Sequence, residues 1–184
     1  YNDLKRKQDT IKVTVSNNGG HGSLPSYPTT IGQLSEVLQK IEQNPMKSKF
    51  TPALQQTIKE ASPYLPKKYK WLAKNAKNLF PLVVGKLRKI PLVNALISTT
   101  ATPTMLSASS TANTTPKEAT AIINTRIIPG YTRNDAQEHM QKIAKDKAKV
   151  EFEGGTEPTI MASIETEYYQ RLKNCISSIF PDSK

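Results

Sequence analysis

One cysteine, two histidines and one tryptophan are all that 184 residues supply of those types, and each scarcity removes a class of protein. A lone thiol, Cys175, closes no intrachain disulfide and builds no thiolate metal site. His21 and His139 are the only imidazoles, too few ligands for a self-contained zinc centre without a matching carboxylate spacing. No apolar run approaches the roughly 20 residues that span a bilayer as a helix. P-loop, HExxH and Gly-x-Ser-x-Gly patterns are all missing, as are internal repeats and heptads. The first residue is Tyr1 and no basic-then-apolar leader follows, which reads as a stretch of a longer protein.

What is present suffices for one globular core, with 36% apolar and 7% aromatic residues. The net charge of +11 is unevenly spread. Residues 46–89 hold eleven basic side chains and a single acid, Glu60, for a net of +10, which leaves +1 for everything else. Two regions of different composition are joined. The pI of 9.7 therefore describes one segment. Nucleic acid is not the expected partner, because the segment's aromatics lie in proline-broken helical pieces and not on a strand platform.

Residues 10–16 alternate, with Ile11, Val13 and Val15 on one face, and predict a half-buried strand that Asn17-Asn18-Gly19-Gly20 stops. Thr29 or Thr30 can cap a helix whose apolar positions are Ile31, Leu34, Val37, Leu38 and Ile41. The basic segment follows, in short helical pieces broken by Pro52, Pro63, Pro66, Pro81 and Pro91. From residue 98 the chain is Ser/Thr-rich and extended. Residues 120–127 alternate again, with Ala121, Ile123 and Ile127 inward and Ile122, Asn124 and Arg126 outward. Thr132 opens a second helix with Ala136, Met140, Ile143 and Ala144 inward, and 149–153 form a short strand. A last helix at 166–180 places Leu172, Ile176, Ile179 and Cys175 inward. Without the insertion the order is strand–helix–strand–strand–helix–strand. That order predicts an α+β, ferredoxin-like, four-stranded antiparallel sheet with two helices on one face, plus a helical insertion.

Among polar candidates, His139 borders an apolar stripe and reads as a structural histidine, and Gly154-Gly155-Thr156-Glu157 reads as a Gly-Gly turn. Asn113-Thr114-Thr115 fits a glycosylation sequon, a common signal. His21 stands between Gly20 and Gly22 just after a strand, either as a turn residue or as an unshielded functional imidazole.

Three segments together carry a resemblance. Gly19-Gly20-His21-Gly22-Ser23-Leu24-Pro25, then Asn113-Thr114-Thr115-Pro116, then Asn124-Thr125-Arg126-Ile127-Ile128-Pro129-Gly130 resemble the lid, or dimerisation, domain of a zinc metallopeptidase family. That family holds glutamate carboxypeptidase, aminoacylase and succinyl-diaminopimelate desuccinylase. Asn44-Pro45-Met46 and Pro91-Leu92-Val93-Asn94-Ala95 are similar to its carboxypeptidase S and N-fatty-acyl-amino-acid hydrolase branch, which carries an enlarged insertion.

The resemblance implies a lid/dimerisation domain at 1–45 and 98–164, a basic helical insertion at 46–97, and at 165–184 a helix leading back into a catalytic domain outside the chain. It implies no cofactor in this chain and two zinc ions in that catalytic domain, with a homodimer built on an edge strand and the first helix. By the same resemblance His21 stabilises the oxyanion of the transition state in the active site of the other subunit. Asn113, Arg126 and Asn124 hold the carboxylate or adjoining polar groups of an N-acyl amino acid or peptide substrate, a task suited to the planar Arg fork. Two other readings stay open: a non-catalytic basic module on an anionic membrane surface, and a purely structural dimerisation unit. For the insertion itself, an anionic membrane, an acyl substrate with an acidic head and a packed helical cap all remain.

Overall fold

The computed structural model describes residues 9–157 and 165–180. The outer parts of the ranges 1–45, 98–164 and 165–184 at residues 1–8, 158–164 and 181–184 lie outside it. Four strands make the main sheet: β1 (Asp9–Ser16), β3 (Thr100–Ser107), β5 (Glu118–Arg126) and β6 (Lys149–Gly154). They lie in the order β3-β5-β1-β6, and every pairing is antiparallel. Helices α1 (Thr30–Gln43) and α6 (Arg133–Ala144) cover one face. This is the ferredoxin-like arrangement. A second, two-stranded ladder joins β2 (Gly20–His21) to β4 (Thr114–Thr115). Between α1 and β3 run α2 (Pro52–Ala61), a 3-10 turn at Ser62–Tyr64, α3 (Lys67–Lys74), α4 (Ala76–Leu87) and α5 (Pro91–Ile97). A last helix, α7, spans Glu167–Ile179.

The core follows from the alternating patterns. Ile11, Val13 and Val15 of β1 meet Ala119, Ala121 and Ile123 of β5 and Val150 of β6 beneath the helices. From above, Leu34, Val37, Leu38 and Ile41 of α1 and Met140 and Ala144 of α6 close on them. Each large aliphatic side chain buried this way contributes about 1.5–3 kcal/mol. Thr29 caps α1 through Gly32 N–H. Thr132 and Asp135 form a reciprocal capping box on α6. His139 behaves as a structural residue, its Nε2 lying 2.7 Å from the Asn44 carbonyl at the end of α1.

Several expected faces are corrected. Ile31 is 48% exposed, because the buried face of α1 begins at Thr30 and continues through Leu34, Val37, Leu38 and Ile41, which turns Ile31 toward solvent. Beyond Arg126 the strand ends, so the alternation loses its phase and Ile128, not Ile127, is buried. Pro81 does not break the helical segment but lies inside α4. Leu172, Ile176, Ile179 and Cys175 on α7 are all exposed, since no described element covers that amphipathic stripe.

Candidate functional site

His21 is carried out of the sheet by a turn that depends on glycine. Gly19 sits at φ +67°, and a Cβ there would lie 2.9 Å from the Thr115 carbonyl. The Gly22 N–H donates to the Asn113 carbonyl at 2.7 Å, and a Cβ on Gly22 would come within 2.9 Å of that oxygen. Gly20 and His21 thereby pair with Thr115 and Thr114. His21 and Asn113 are thus held side by side by backbone geometry. Thr30, buried at the start of α1, donates its hydroxyl to the Pro116 carbonyl at 2.6 Å, which fixes this loop pair to the core.

The His21 ring is exposed but oriented. Its Nδ1 lies 2.8 Å from Ser23 Oγ and accepts the Ser23 backbone N–H at 3.3 Å. A backbone N–H only donates, so in the neutral ring the lone pair is on Nδ1 and the proton on Nε2. The imidazole is set up as a donor. Ser23 belongs to the loop motif of the sequence, and its contact with the ring adds a role the sequence alone does not assign. Leu24 and Tyr27, 80% and 83% exposed, project from the same loop.

Arg126 is elsewhere. It ends β5 exposed, opposite Thr100, with Asn124 half-buried two residues earlier on the same face and opposite Thr102. The His21 loop lies beyond the other end of β5, next to Lys117 and Glu118. Eight residue steps of antiparallel strand separate the ends, roughly 27 Å. The structure therefore brings His21 and Asn113 together, and Asn124 with Arg126, but does not bring the two pairs to one place within a single chain.

The Arg126 end is braced by a partly buried ion pair, Arg133 Nε to Asp9 at 3.4 Å, with the guanidinium 4.1 Å over the Phe152 ring. Burial pushes the Asp9 carboxyl up, against the opposing pull of Arg133. Gly155 passes so close to Asp9 that a Cβ there would overlap the carboxylate, and Glu157 accepts the Arg133 backbone N–H at 3.3 Å. That loop is a turn with a bracing role. Among the described residues no three His, Cys, Asp or Glu side chains converge as metal ligands do.

The four-stranded antiparallel sheet and its two covering helices define a ferredoxin-like α+β domain. The comparisons place it further. Residues 6–151 match the family described as the peptidase dimerisation domain, and the chain belongs to that family. It is 33% identical to the probable carboxypeptidase S-like 2 of Dictyostelium discoideum, over 94% of this chain and 33% of that protein. It is 30% identical to the N-fatty-acyl-amino acid synthase/hydrolase PM20D1 of Mus musculus, over 94% of this chain and 35% of that protein. The chain spans about a third of the length of these relatives. Among solved structures, human carnosine dipeptidase 1 shares the fold at TM-score 0.56 and 12% identity, over 97% of this chain and 42% of that one. An M20 family metallo-carboxypeptidase from Sulfolobus solfataricus does so at 0.54 and 12%, over 96% and 50%.

Proposed function

We propose that this chain is the lid of a zinc-dependent carboxypeptidase or N-acyl-amino-acid hydrolase and completes its active sites across a homodimer. The observation that supports this most is the placement of the His21 loop and Arg126 at opposite ends of β5. A single small substrate cannot touch both within one protomer. A two-fold dimer resolves this, with each site drawing His21 and Asn113 from one subunit and Arg126 and Asn124 from the other.

In that arrangement His21 donates from Nε2 to the amide oxygen as charge develops on it, while Ser23 holds the ring in the required tautomer. Arg126, with Asn124 beside it, pairs with the terminal carboxylate of an N-acyl amino acid or peptide. Zinc bound in the catalytic domain outside this chain supplies the activated water. The exposed apolar stripe of α7 fits a helix that packs against that domain, consistent with a lid at 1–45 and 98–164.

Edge chemistry supports the choice of dimer face. The β6 edge exposes Lys149, Glu151 and Glu153, which discourage strand addition. The β3 edge is free of charge, exposes Met105 and Leu106 at 65% and 70%, and lies on the side covered by α1.

Mixed dimers test the assembly. Full-length subunits carrying His21→Ala are combined with subunits carrying Arg126→Ala. If the two residues serve one site from different subunits, the mixed dimer contains one site with both groups intact, and activity returns above that of either parent. Were both residues used within one subunit, every site would carry a lesion and no activity would return.

A further inference from the structure

The helical array α2 to α5 has no part in the site or the sheet. It buries little of itself: no residue of α2 or α3 is buried, α4 buries only Phe80, packed edge-on to Phe50 at 5.4 Å, and α5 buries only Ile97 at its end. Large apolar side chains stay in water instead, with Trp71 62%, Leu82 80% and Leu92 76% exposed. Its charge is largely unpaired. Among the described residues none of the eleven cations between 46 and 89 forms a salt bridge, and Lys49 acts on the Asp135 carboxylate only electrostatically. The lone acid, Glu60, accepts from Gln56 at 2.7 Å.

Cations and apolar groups are interleaved in a definite pattern. On α3, Lys67, Lys70, Trp71 and Lys74 follow i, i+3, i+4, i+7 spacing and share one face, all four exposed. Lys70 and Lys74 also border an open groove of about 440 Å³ with Lys59 and Lys77 on its lining, together with Phe50 and Ile58. Ten of the eleven cations are lysines, Arg88 being the exception. A specific protein partner is met mainly through Arg forks, and lysine is depleted from protein interfaces. Compact, hydrated ammonium groups on flexible stems suit diffuse attraction to a layer of anionic headgroups, with an exposed Trp as the interfacial anchor. No helix among the described residues is long and apolar enough to cross a membrane, so the contact the pattern fits is with its surface.

We propose that the α2–α5 array docks this protein on an anionic phospholipid surface, with Trp71 entering the headgroup layer and Lys59, Lys67, Lys70, Lys74 and Lys77 lying over its negative charges. This goes beyond the lid reading and does not depend on it.

Trp71 is the only tryptophan of the chain, so its emission reports the contact directly. The 184-residue chain is mixed with phosphatidylcholine vesicles containing or lacking phosphatidylserine, at low and at physiological salt. Co-sedimentation and a blue shift of Trp71 are expected with the phosphatidylserine vesicles alone, both weakened by salt. Each lysine near such a surface is worth about fivefold in partitioning, so Lys67→Gln/Lys70→Gln/Lys74→Gln should lose on the order of 100-fold. Those side chains are exposed, and an unchanged far-ultraviolet circular dichroism spectrum confirms that the variant is folded. Neutralising Lys40, Lys142 and Lys149 on the sheet-and-helix layer instead should leave binding within about twofold. No sedimentation at low salt, equal binding to both kinds of vesicle, or undiminished binding by the α3 variant overturns the proposal. Binding to a single-stranded oligonucleotide without binding to vesicles also overturns it, in favour of nucleic acid.

Discussion

His21 and Arg126 show how differently a residue's neighbours can prepare it for chemistry. The imidazole is held by Ser23 on one side and leaves its other nitrogen as a donor. In the full-length protein, the proposed lid role predicts that His21→Ala lowers kcat by about 10² to 10³ with KM little changed, the cost of one oxyanion donor. Ser23→Ala should lower kcat less, again without raising KM, because the donor remains but its orientation is released. Steady-state kinetics on an N-acyl amino acid check both. A kcat near wild type for His21→Ala would return this residue to a turn role. Arg126→Ala should raise KM for free-carboxylate substrates by about 10- to 100-fold, the usual worth of a charged hydrogen bond, and leave carboxamide analogues untouched. An equal loss on both substrates would count against carboxylate binding.

Among the elements, β3 and α1 carry the sharpest expectations. An uncharged edge strand with exposed Met105 and Leu106 invites pairing, and Pro103 at its register shift limits how far the ladder runs. Met105→Lys should therefore convert dimers to monomers in light scattering, with secondary structure retained. A dimer that survives this charge would place the interface elsewhere. On α1, Glu36 is held at a pKa of about 2 by the Lys147 hydrogen bond first and Lys40 second, at 2.9 and 2.7 Å. A carboxyl depressed in the folded state contributes stability that is complete above its ordinary value near 4.5 and lost as pH falls through the folded one. Stability should thus fall between those two values, and Lys147→Met should flatten that acid limb in thermal melts. Because the pair is exposed, added salt should flatten it too.

For the whole molecule, the expectation concerns metal-dependent chemistry. The chain spans about a third of the relatives it matches, and among its described residues no three potential ligands cluster for a metal. The purified 184-residue chain supplied with zinc should show no hydrolysis of N-acyl amino acids or peptides. Turnover that a chelator abolishes would overturn this, because a metal site would then have to exist within the chain.

The α+β order was legible in the sequence because period-2 and period-3.6 patterns at 10–16, 31–41, 120–126 and 133–144 report which side chains leave water, whatever lies beyond. The glycines around His21 were legible too, since only a close backbone approach asks for them there. Tertiary structure alone decided the rest. Ile128 took the buried place expected of Ile127 because the strand ends at Arg126, and Ile31 turned outward because Thr30 beside it fills the covered face of α1. Ser23, visible in the sequence as part of the loop motif, gained a role only as the partner of an imidazole two residues away. The separation of His21 from Arg126 likewise emerged only once strand register was known, because sequence spacing carries no information about which end of a ladder a residue occupies.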